Sequence, residues 1–310
     1  MPTNVTLAMV REAAERIRPI AHRTPVFTSH TFDTESGVSA FFKCENLQKG
    51  GAFKIRGAAN MIFSLSDADR AKGLIAYSSG NHAQATAIAA RHVGAACTIV
   101  MPLDAPSSKL EATRGYGAKV VTYDRFRDNR EKVAADIIGD SGVTLIPPFD
   151  HPMIIAGQGT AALELLEQAE NLDALITPVG GGGLLSGCAV AAKGVNPKIR
   201  IFGVEPERAN DTYLSFRANE RIEVTPDTIA DGLRSPIPGK VTFPIVRELA
   251  EDILLVTEDE IRSAMKFLLT RMKILVEPSG AVSAAAVLYR KLPPGIGRVG
   301  IVLSGGNVDV

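Results

Sequence analysis

The chain has 310 residues, of which 45% are hydrophobic and 22% are charged, and its formal net charge is zero. This length predicts about two domains or one large α/β unit, and the balanced charge argues against nucleic acid or an anionic membrane surface as a partner. A small neutral or zwitterionic substrate suits this composition better.

The amino terminus and the cysteines indicate a cytoplasmic protein. Residues 1–17 lack the basic segment and apolar core of a secretory signal. Cys44, Cys97 and Cys188 follow no CxxC or Cys/His spacing, which argues against a zinc site or a disulfide framework. We therefore expect buried thiols in a reducing compartment.

The first motif along the chain is ENLQKGGAFKIRGAAN, residues 45–60. Lys54 follows Phe53 and two glycines, which allow close approach of a ligand, and Phe53 can cover the base of the lysine side chain. This setting suits a lysine used for chemistry, although a loop lysine before a helix is the simpler interpretation. For Arg56 the pattern indicates only support of the loop.

Apolar runs rich in Val and Ile then alternate with segments of helical spacing. Continuous apolar strands between helices predict an α/β fold with mainly parallel sheets. The predicted strands are GLIAYSS, CTIVMP, KVVTYD, TLIPPF, ALITPV, RIFGVEP and RVGIVLSGG. The predicted helices are NHAQATAIAARHVGA, SSKLEATRGYGA, RDNREKVAADIIGD, GQGTAALELLEQAE and LLSGCAVAAKGV.

Clusters of Pro, Asp and Gly mark two seams, at 66–73 and 147–152. They predict a small α/β domain at 69–149, inserted in a large domain formed by 1–68 and 150–310. We expect a cleft between the two domains.

The segment YSSGNHAQ, residues 77–84, links a predicted strand to a predicted helix. Ser78, Ser79 and Asn81 can cap the helix. The same hydroxyl, amide and N–H groups can also bind a carboxylate, and the pattern alone leaves both interpretations open.

Four consecutive glycines in PVGGGGLLSG lie between a strand and a helix. Their N–H groups and the helix N-terminus can bind an anion such as phosphate, while a turn required for packing is the alternative. Leu185 breaks the dinucleotide fingerprint, and no Lys-Ser/Thr pair follows for a P-loop. The glycines and Pro178 also argue against a membrane-spanning helix in the uncharged run 174–192.

Three later loops carry polar residues after predicted strands or before a predicted helix. In GVEPERANDT, Glu205, Asp211 and the Ala209 carbonyl could bind a hard cation, and a solvated acidic loop is the alternative. EPSGA at 277–281 can be a helix start, and the terminal LSGGN, which contains Ser304, can be a turn.

Taken together and in this order, these motifs resemble the fold-type II pyridoxal phosphate enzymes, in particular the serine/threonine dehydratase and serine racemase group. The matching segments are KCENLQKGGAFKIRGA, SSGNHAQ, PVGGGGLLSG, GVEPERAND, EPSGA and LSGGNVD, and they span residues 43–309. The resemblance implies a tryptophan synthase β-like fold with two open, mainly parallel, twisted sheets and flanking helices. It also implies pyridoxal 5'-phosphate as cofactor and a homodimer.

The resemblance assigns the cofactor contacts residue by residue. The family's lysine bonds covalently to the cofactor, the glycine loop binds its phosphate, and the serine of SGGN faces the pyridine nitrogen. The asparagine of SSGNH contacts the ring hydroxyl, and the glutamate of EPSG lies near the ring edge. The implied cofactor-binding residues are Phe53, Lys54, Asn81, Gly180, Gly181, Gly182, Gly183, Leu184, Glu277 and Ser304.

The resemblance also implies catalytic, substrate and metal residues. Lys54 is the general base, and Ser79 is the acid/base on the opposite ring face. The loop that receives the substrate carboxylate contains Ser78, Ser79, Gly80, Asn81 and His82. A divalent cation (Mg or Ca, with Mn as a further candidate) is implied at Glu205, the Ala209 carbonyl and Asp211.

The expected reaction is conversion of a β-hydroxy amino acid to a 2-oxo acid and ammonia. Threonine dehydratases of the biosynthetic type usually show SAGNH and a C-terminal regulatory domain, whereas this chain has Ser79 and stops three residues after GGN. Serine racemases place a serine at this position as the acid/base, so the resemblance also implies that a protein with Ser79 racemises serine.

A 3-hydroxyaspartate dehydratase shares the whole pattern and would need a cation for the second carboxylate. Arg125, Arg127 and Arg130 are candidates. A β-replacement enzyme, as in cysteine synthesis, and a non-catalytic ligand-binding relative are further alternatives. The metal-type loop argues against the first, and retention of Lys54 against the second.

Overall fold

The structure is a computed structural model that describes residues 5–105, 107–124, 126–139 and 141–308. Its described strands are β1 Val26–Phe27, β2 Ser39–Cys44, β3 Leu74–Tyr77, β4 Cys97–Pro102, β5 Lys119–Tyr123, β6 Thr144–Leu145, β7 Ala174–Pro178, β8 Arg200–Pro206, β9 Asp252–Val256 and β10 Arg298–Leu303. Its described helices are α1 Leu7–Ile17, α2 His30–Ser36, α3 Lys54–Ser64, α4 Asp67–Ala71, α5 Asn81–His92, α6 Ser107–Gly115, α7 Arg130–Ile138, α8 Pro152–Gln168, α9 Gly183–Val195, α10 Asp211–Ala218, α11 Thr242–Leu249, α12 Glu258–Phe267 and α13 Pro278–Leu288.

The strands form two sheets, which confirms the predicted α/β architecture. The larger sheet has the order β1-β2-β10-β7-β8-β9 and is parallel except for β1. The smaller sheet has the order β5-β4-β3-β6 and is entirely parallel. All strands of the smaller sheet lie between residues 74 and 145, and the division into an inserted domain at 69–149 stays a prediction.

Apolar side chains cover both faces of each sheet. On the larger sheet, one core cluster includes residues of α2, α12 and α13, and the other includes residues of α1, α8, α9 and α11. On the smaller sheet, α3 and α5 contribute to one cluster and α7 to the other. Burial on both faces explains why the parallel strands read as continuous apolar runs.

Helix α8 positions the two elements that matter most for the site. It packs against α3, which begins at Lys54, and against α9, which begins at the glycine loop. Between α8 and α9 the backbones are so close that a Cβ on Gly159 would lie 2.5 Å from the Gly187 carbonyl oxygen. Small residues at this crossing therefore fix the spacing between the lysine and the glycine loop.

The predicted seam at 66–73 contains the short helix α4, which Ser66 caps, and its role as a domain boundary stays a prediction. Two predicted element boundaries were wrong. The strand predicted from TLIPPF stops at Leu145, since Pro147 and Pro148 have no N–H to donate. Helix α8 begins at Pro152, five residues earlier than predicted, after the His151 side chain caps it.

Two other expectations are confirmed. Cys44, Cys97 and Cys188 are buried and free, and burial raises the pKa of each thiol to about 12. The uncharged run 174–192 divides into β7, the glycine loop and most of α9. Among the described residues, no helix combines the length and apolar character required to cross a bilayer.

Candidate active site

The carboxyl ends of β2, β10, β7 and β8 lie at one edge of the larger sheet, because these strands are parallel. The loops that follow them carry the Lys54, SGGN, tetraglycine and acidic motifs. Ligands of open α/β sheets bind at this edge. The strand register thus brings motifs together that are far apart in sequence.

Lys54 is the first residue of α3 and is half-buried. Its Nζ donates a 2.8 Å hydrogen bond to the Pro148 carbonyl oxygen and lies 5.1 Å from the centre of the Phe53 ring. Phe53 is in turn held by its N–H, which donates to the Ser304 carbonyl oxygen at 3.0 Å. Two contacts therefore hold the lysine in place: a direct hydrogen bond to Pro148 and an indirect one to the SGGN loop through Phe53.

Burial lowers the pKa of Lys54 to about 8, against the opposing effect of the Glu277 charge. Near pH 7.4, roughly one ordinary lysine amine in a thousand is neutral, whereas a pKa of about 8 leaves about one in five neutral. The site thus removes most of the protonation cost that a lysine nucleophile or base otherwise carries.

The tetraglycine loop leads into α9 with Gly182 at φ 90°. Cβ atoms on Gly181 and Gly183 would overlap with Phe149, and one on Gly182 would lie 2.8 Å from Thr242 Oγ1. Packing alone therefore accounts for these glycines. Within the described residues no side chain caps the start of α9, so its first N–H groups remain available to an anion.

Asp150 supports the segment 240–242, which contacts the glycine loop, and the sequence pattern did not indicate this role. Its carboxylate accepts hydrogen bonds of 2.8 to 3.1 Å from the N–H groups of Lys240, Val241 and Thr242. Thr242 Oγ1 then donates to the Gly181 carbonyl oxygen at 2.7 Å. The signal available in sequence was the predicted seam at 147–152, which contains Asp150 and indicated only a domain boundary.

Ser304 is buried directly after β10, and its hydroxyl makes a single long hydrogen bond of 3.5 Å to the Ser279 carbonyl oxygen. A bond at this length contributes little. Ser304 Oγ is therefore a buried polar atom with capacity for a further partner. Leu184, the second residue of α9, is buried in the core beside the glycine loop.

The SSGNH loop begins α5 without a side-chain cap, which contradicts the capping interpretation. The Ser78 hydroxyl accepts from the Gly80 N–H at 3.2 Å. Ser79 is half-buried, and its hydroxyl bonds to no described residue. It is thus the free hydroxyl of this loop.

His82 does not present its ring to solvent. The side chain is buried, and its Nε2 lies 2.9 Å from the Ile146 carbonyl oxygen, which can only accept. Burial lowers the pKa of His82 to about 3. The ring is therefore neutral and anchors α5 to the end of β6. Only the backbone of His82 is left to support its assignment to substrate binding.

Asn81 and Glu277 join the smaller sheet to the larger one. Asn81 Nδ2 donates to Glu277 Oε1 at 2.7 Å, and Glu277 caps no helix with its side chain although it precedes α13. Burial and the nearby Asp231 charge raise the pKa of Glu277 to about 7. A second link is the ion pair between Lys109 Nζ and Asp231 Oδ2, at 2.7 Å.

The acidic loop places two buried carboxyl groups together. Glu205 accepts from the Thr212 and Tyr213 N–H groups at 3.1 and 2.8 Å, so it also caps α10. Both oxygens of Asp211 are buried without a hydrogen-bond partner among the described residues. Burial raises the pKa of both groups, and the Asp211 charge raises that of Glu205 further.

These carboxyl groups fit a hard cation, because a buried unpartnered carboxylate is costly unless something positive binds it. The solvated-loop alternative is wrong, since Glu205, Ala209 and Asp211 are all buried. Within the described ranges, however, no group of three or more His, Cys, Asp or Glu side chains could hold a metal ion. Any cation there would need carbonyl or water ligands.

Of the three arginines considered for a second substrate carboxylate, Arg125 lies outside the described residues. Arg127 pairs with Asp124 at 3.5 Å. The Arg130 guanidinium lies 5.4 Å from the centre of the ring of Tyr77, the residue that precedes Ser78. Arg130 pairs with no carboxylate in the described part of the chain.

The protein side chains around Lys54 fit a phosphorylated aldehyde cofactor. An amine with a lowered pKa, an uncapped helix N-terminus and an underused buried hydroxyl match the aldehyde, the phosphate and the ring nitrogen of pyridoxal 5'-phosphate.

Comparisons with known proteins give the same family. The family described as pyridoxal-phosphate dependent enzyme matches residues 17–305. Serine racemase of Schizosaccharomyces pombe is 50% identical over 302 residues, which cover 97% of this chain and 94% of that protein. L-threo-3-hydroxyaspartate ammonia-lyase of Saccharomyces cerevisiae is 49% identical over 306 residues, which cover 98% and 94%. The solved serine racemase of Dictyostelium discoideum superposes with a TM-score of 0.93 at 50% identity, covering 99% of each chain.

Proposed function

Since this chain belongs to the pyridoxal-phosphate dependent enzyme family, we propose that it converts L-serine or L-threonine to a 2-oxo acid and ammonia. We propose that the same site racemises serine. The observation that carries this proposal is Lys54, whose amine has a lowered pKa and lies at the edge of the sheet where the glycine loop begins α9.

The chain's own residues would bind the cofactor as follows. Lys54 would hold it covalently with Phe53 alongside, the N–H groups of 180–184 would bind its phosphate, and the Ser304 hydroxyl would serve its ring nitrogen. When bound, pyridoxal 5'-phosphate supplies an electron sink for the charge left at the substrate α-carbon. A neutral hydroxyl such as Ser304 does not hold a pyridine nitrogen protonated, which favours prompt loss of a β-leaving group.

Lys54 and Ser79 then carry the proton transfers. Lys54, freed when the substrate amine takes its place, would remove the α-proton with its neutral amine as a general base. The β-hydroxyl would leave as water, the α-proton taken by Lys54 balancing the proton that the hydroxyl takes up, and hydrolysis of the remaining enamine would give the 2-oxo acid and ammonia. For racemisation, the free hydroxyl of Ser79 returns a proton to the α-carbon from the other side.

Further proposals concern the surroundings of the site. We infer that Glu205, the Ala209 carbonyl and Asp211 bind Mg or Ca, with Mn as a further candidate, because both Asp211 carboxylate oxygens are buried without a hydrogen-bond partner in the described part of the chain. We also propose a cytoplasmic homodimer in which 69–149 forms a small domain. The inter-sheet contacts of Asn81 and Lys109 support a cleft between that domain and the remainder.

A substrate panel tests the proposed reaction. Purified protein loaded with pyridoxal 5'-phosphate should release 2-oxo acid from L-serine or L-threonine and form D-serine from L-serine. Ser79→Ala should retain dehydration and lose racemisation. If no panel member yields a 2-oxo acid, the proposed reaction is wrong, and if Ser79→Ala racemises normally, only the role of Ser79 is wrong.

A second candidate function is dehydration of 3-hydroxyaspartate, and Arg130 favours it. Its guanidinium lies 5.4 Å from the ring centre of Tyr77, the residue that precedes the SSGNH loop, and has no described carboxylate partner, so it is available to bind a second substrate carboxylate. Arg130→Gln should lower kcat/KM for 3-hydroxyaspartate about 10-fold or more and leave L-serine unchanged. Equal losses on both substrates would exclude this role.

A further inference from the structure

We propose that Asn307 is a positioning residue that fixes the orientation of the Asn81 side-chain amide and thereby the polar face that Asn81 offers to the bound cofactor. Asn307 follows β10, in the loop that contains Ser304. Its side-chain Nδ2 lies 2.8 Å from the Gly50 carbonyl oxygen and 2.9 Å from Asn81 Oδ1.

A backbone carbonyl determines the direction of every bond in this chain of amides. The Gly50 carbonyl can only accept, so the Asn307 atom that faces it must be the NH2 group. The same NH2 group faces Asn81, so the Asn81 atom there must be the oxygen. The Asn81 NH2 group therefore points to the Glu277 carboxylate, which accepts it at 2.7 Å.

This orientation leaves Asn81 with one N–H for a ligand. Its NH2 group has two hydrogens, and Glu277 Oε1 takes one of them. The other can donate to an oxygen on the cofactor ring. With the amide reversed, Asn81 would present its own oxygen to Glu277, and two acceptors would face each other whenever Glu277 is ionised.

The Asn307 backbone completes the arrangement. Its N–H donates to Glu277 Oε2 at 3.0 Å, so the two asparagines hold both oxygens of this carboxylate. Glu277 is buried. A buried carboxylate with two fixed donors keeps its orientation, which in turn keeps Asn81 in place.

Gly51, three residues before Lys54, makes room for the Asn307 amide, and Gly50 supplies the carbonyl that this amide contacts. A Cβ on Gly51 would overlap with Asn307 Oδ1, and Gly50 and Gly51 have φ angles of 74° and 73°. The GG of KGGAFK therefore serves the contact with Asn307 as well as the approach to Lys54. Asn307 thus connects the loops of Lys54, Asn81 and Glu277 through one side chain and one N–H.

Asn307→Asp is the sharpest test, because it keeps the shape and replaces the donor with an acceptor that faces Gly50 O and Asn81 Oδ1. The inference rests on the proposed cofactor, so each variant is first loaded with pyridoxal 5'-phosphate. We expect kcat/KM to fall about 10- to 100-fold, and the pH dependence of the bound-cofactor absorbance band to shift. In the cofactor-free protein, amide hydrogen exchange at 49–53 should accelerate.

A double-mutant cycle with Asn81→Ala separates positioning from general damage. If Asn307 acts through Asn81, Asn307→Asp should change the absorbance titration little further when Asn81 is already alanine. Additive effects, or an unchanged titration in Asn307→Asp, would overturn the inference. If Asn307→Asp does not fold, Asn307→Ser replaces it in these measurements, because serine removes the amide without placing a charged acceptor against Gly50 O and Asn81 Oδ1. Failure of the wild-type protein to bind the cofactor would instead contradict the proposed function.

Discussion

The guanidinium of Arg56 forms a paired contact with the carboxylate of Glu45, with Nε–Oε2 at 2.7 Å and Nη2–Oε1 at 2.8 Å, and both side chains are fully buried. Arg56 also donates to Glu164, which in turn pairs with buried Lys43. This buried charge cluster lies one turn into α3 and holds the helix that begins at Lys54. Arg56 therefore has a defined partner set, beyond the general loop support that the sequence indicated.

Arg56→Met should lower the free energy of unfolding by about 3–5 kcal/mol, because it leaves the buried Glu45 carboxylate without its ion-pair partner. Urea unfolding monitored by circular dichroism measures this. Arg23→Ala is the matched control, since Arg23 pairs with Glu167 at 2.7 Å on the surface and should cost less than about 1 kcal/mol. Similar losses for the two variants would contradict a special role for the buried cluster.

The reactivity of Lys54 should titrate near pH 8. Only the neutral amine is nucleophilic, and it predominates above the pKa, which burial lowers to about 8. Labelling of cofactor-free protein with an acylating reagent should therefore rise through about pH 8 at Lys54. Exposed lysines such as Lys119, mapped in the same digest, provide the control. A Lys54 midpoint near about 10.4, the ordinary value, would disprove the lowered pKa.

Gly182→Ala should destabilise the protein more than Gly37→Ala does. Both glycines have positive φ angles, 90° and 83°, which disfavour alanine by about 1–2 kcal/mol. Only at Gly182 would the added Cβ also meet Thr242, at 2.8 Å from Oγ1. Gly182→Ala should in addition weaken cofactor binding about 10-fold or more, measured by equilibrium titration, while Gly37→Ala should not. Equal stability and affinity in the two variants would refute this account of the loop.

Divalent cations should stabilise the protein through the acidic loop. A cation that binds only the native state raises the free energy of unfolding by about 2.7 kcal/mol when its concentration is a hundred times the dissociation constant. The melting temperature should therefore rise with Mg, Ca or Mn and fall with a chelator, and Asp211→Asn should abolish the response. Asp227→Asn, which removes an exposed ion pair with Arg208, should leave it intact. A melting temperature indifferent to cation and chelator would exclude the site.

The fold class and most of the site loops were predictable because they depend on local patterns. Buried parallel strands produce continuous apolar runs, and glycine loops at their ends are visible in sequence. Other local signals were present but overlooked: Thr257 and Glu260 form a capping box at the start of α12, and Ser29 and Gly37 bracket α2.

Long-range side-chain contacts were not predictable in this way. The bond between Asn307 and Asn81, the Asp150 contacts to residues 240–242 and the Lys54 contact to Pro148 each join positions that no local pattern relates. The same holds for His82, whose place in the SSGNH motif suggested a ligand contact, whereas burial directs its ring to Ile146. Such contacts depend on strand order and register, which set the neighbours of each loop.

The most direct test of the central claim is to identify the lysine that bonds to the cofactor. Protein loaded with pyridoxal 5'-phosphate is reduced with borohydride, digested and mapped by mass spectrometry, alongside Lys54→Ala. We predict that the reduced adduct lies on Lys54 and that Lys54→Ala yields neither a specific adduct nor turnover. An adduct on another lysine, or full turnover by Lys54→Ala, would contradict the assignment of Lys54 as anchor and base.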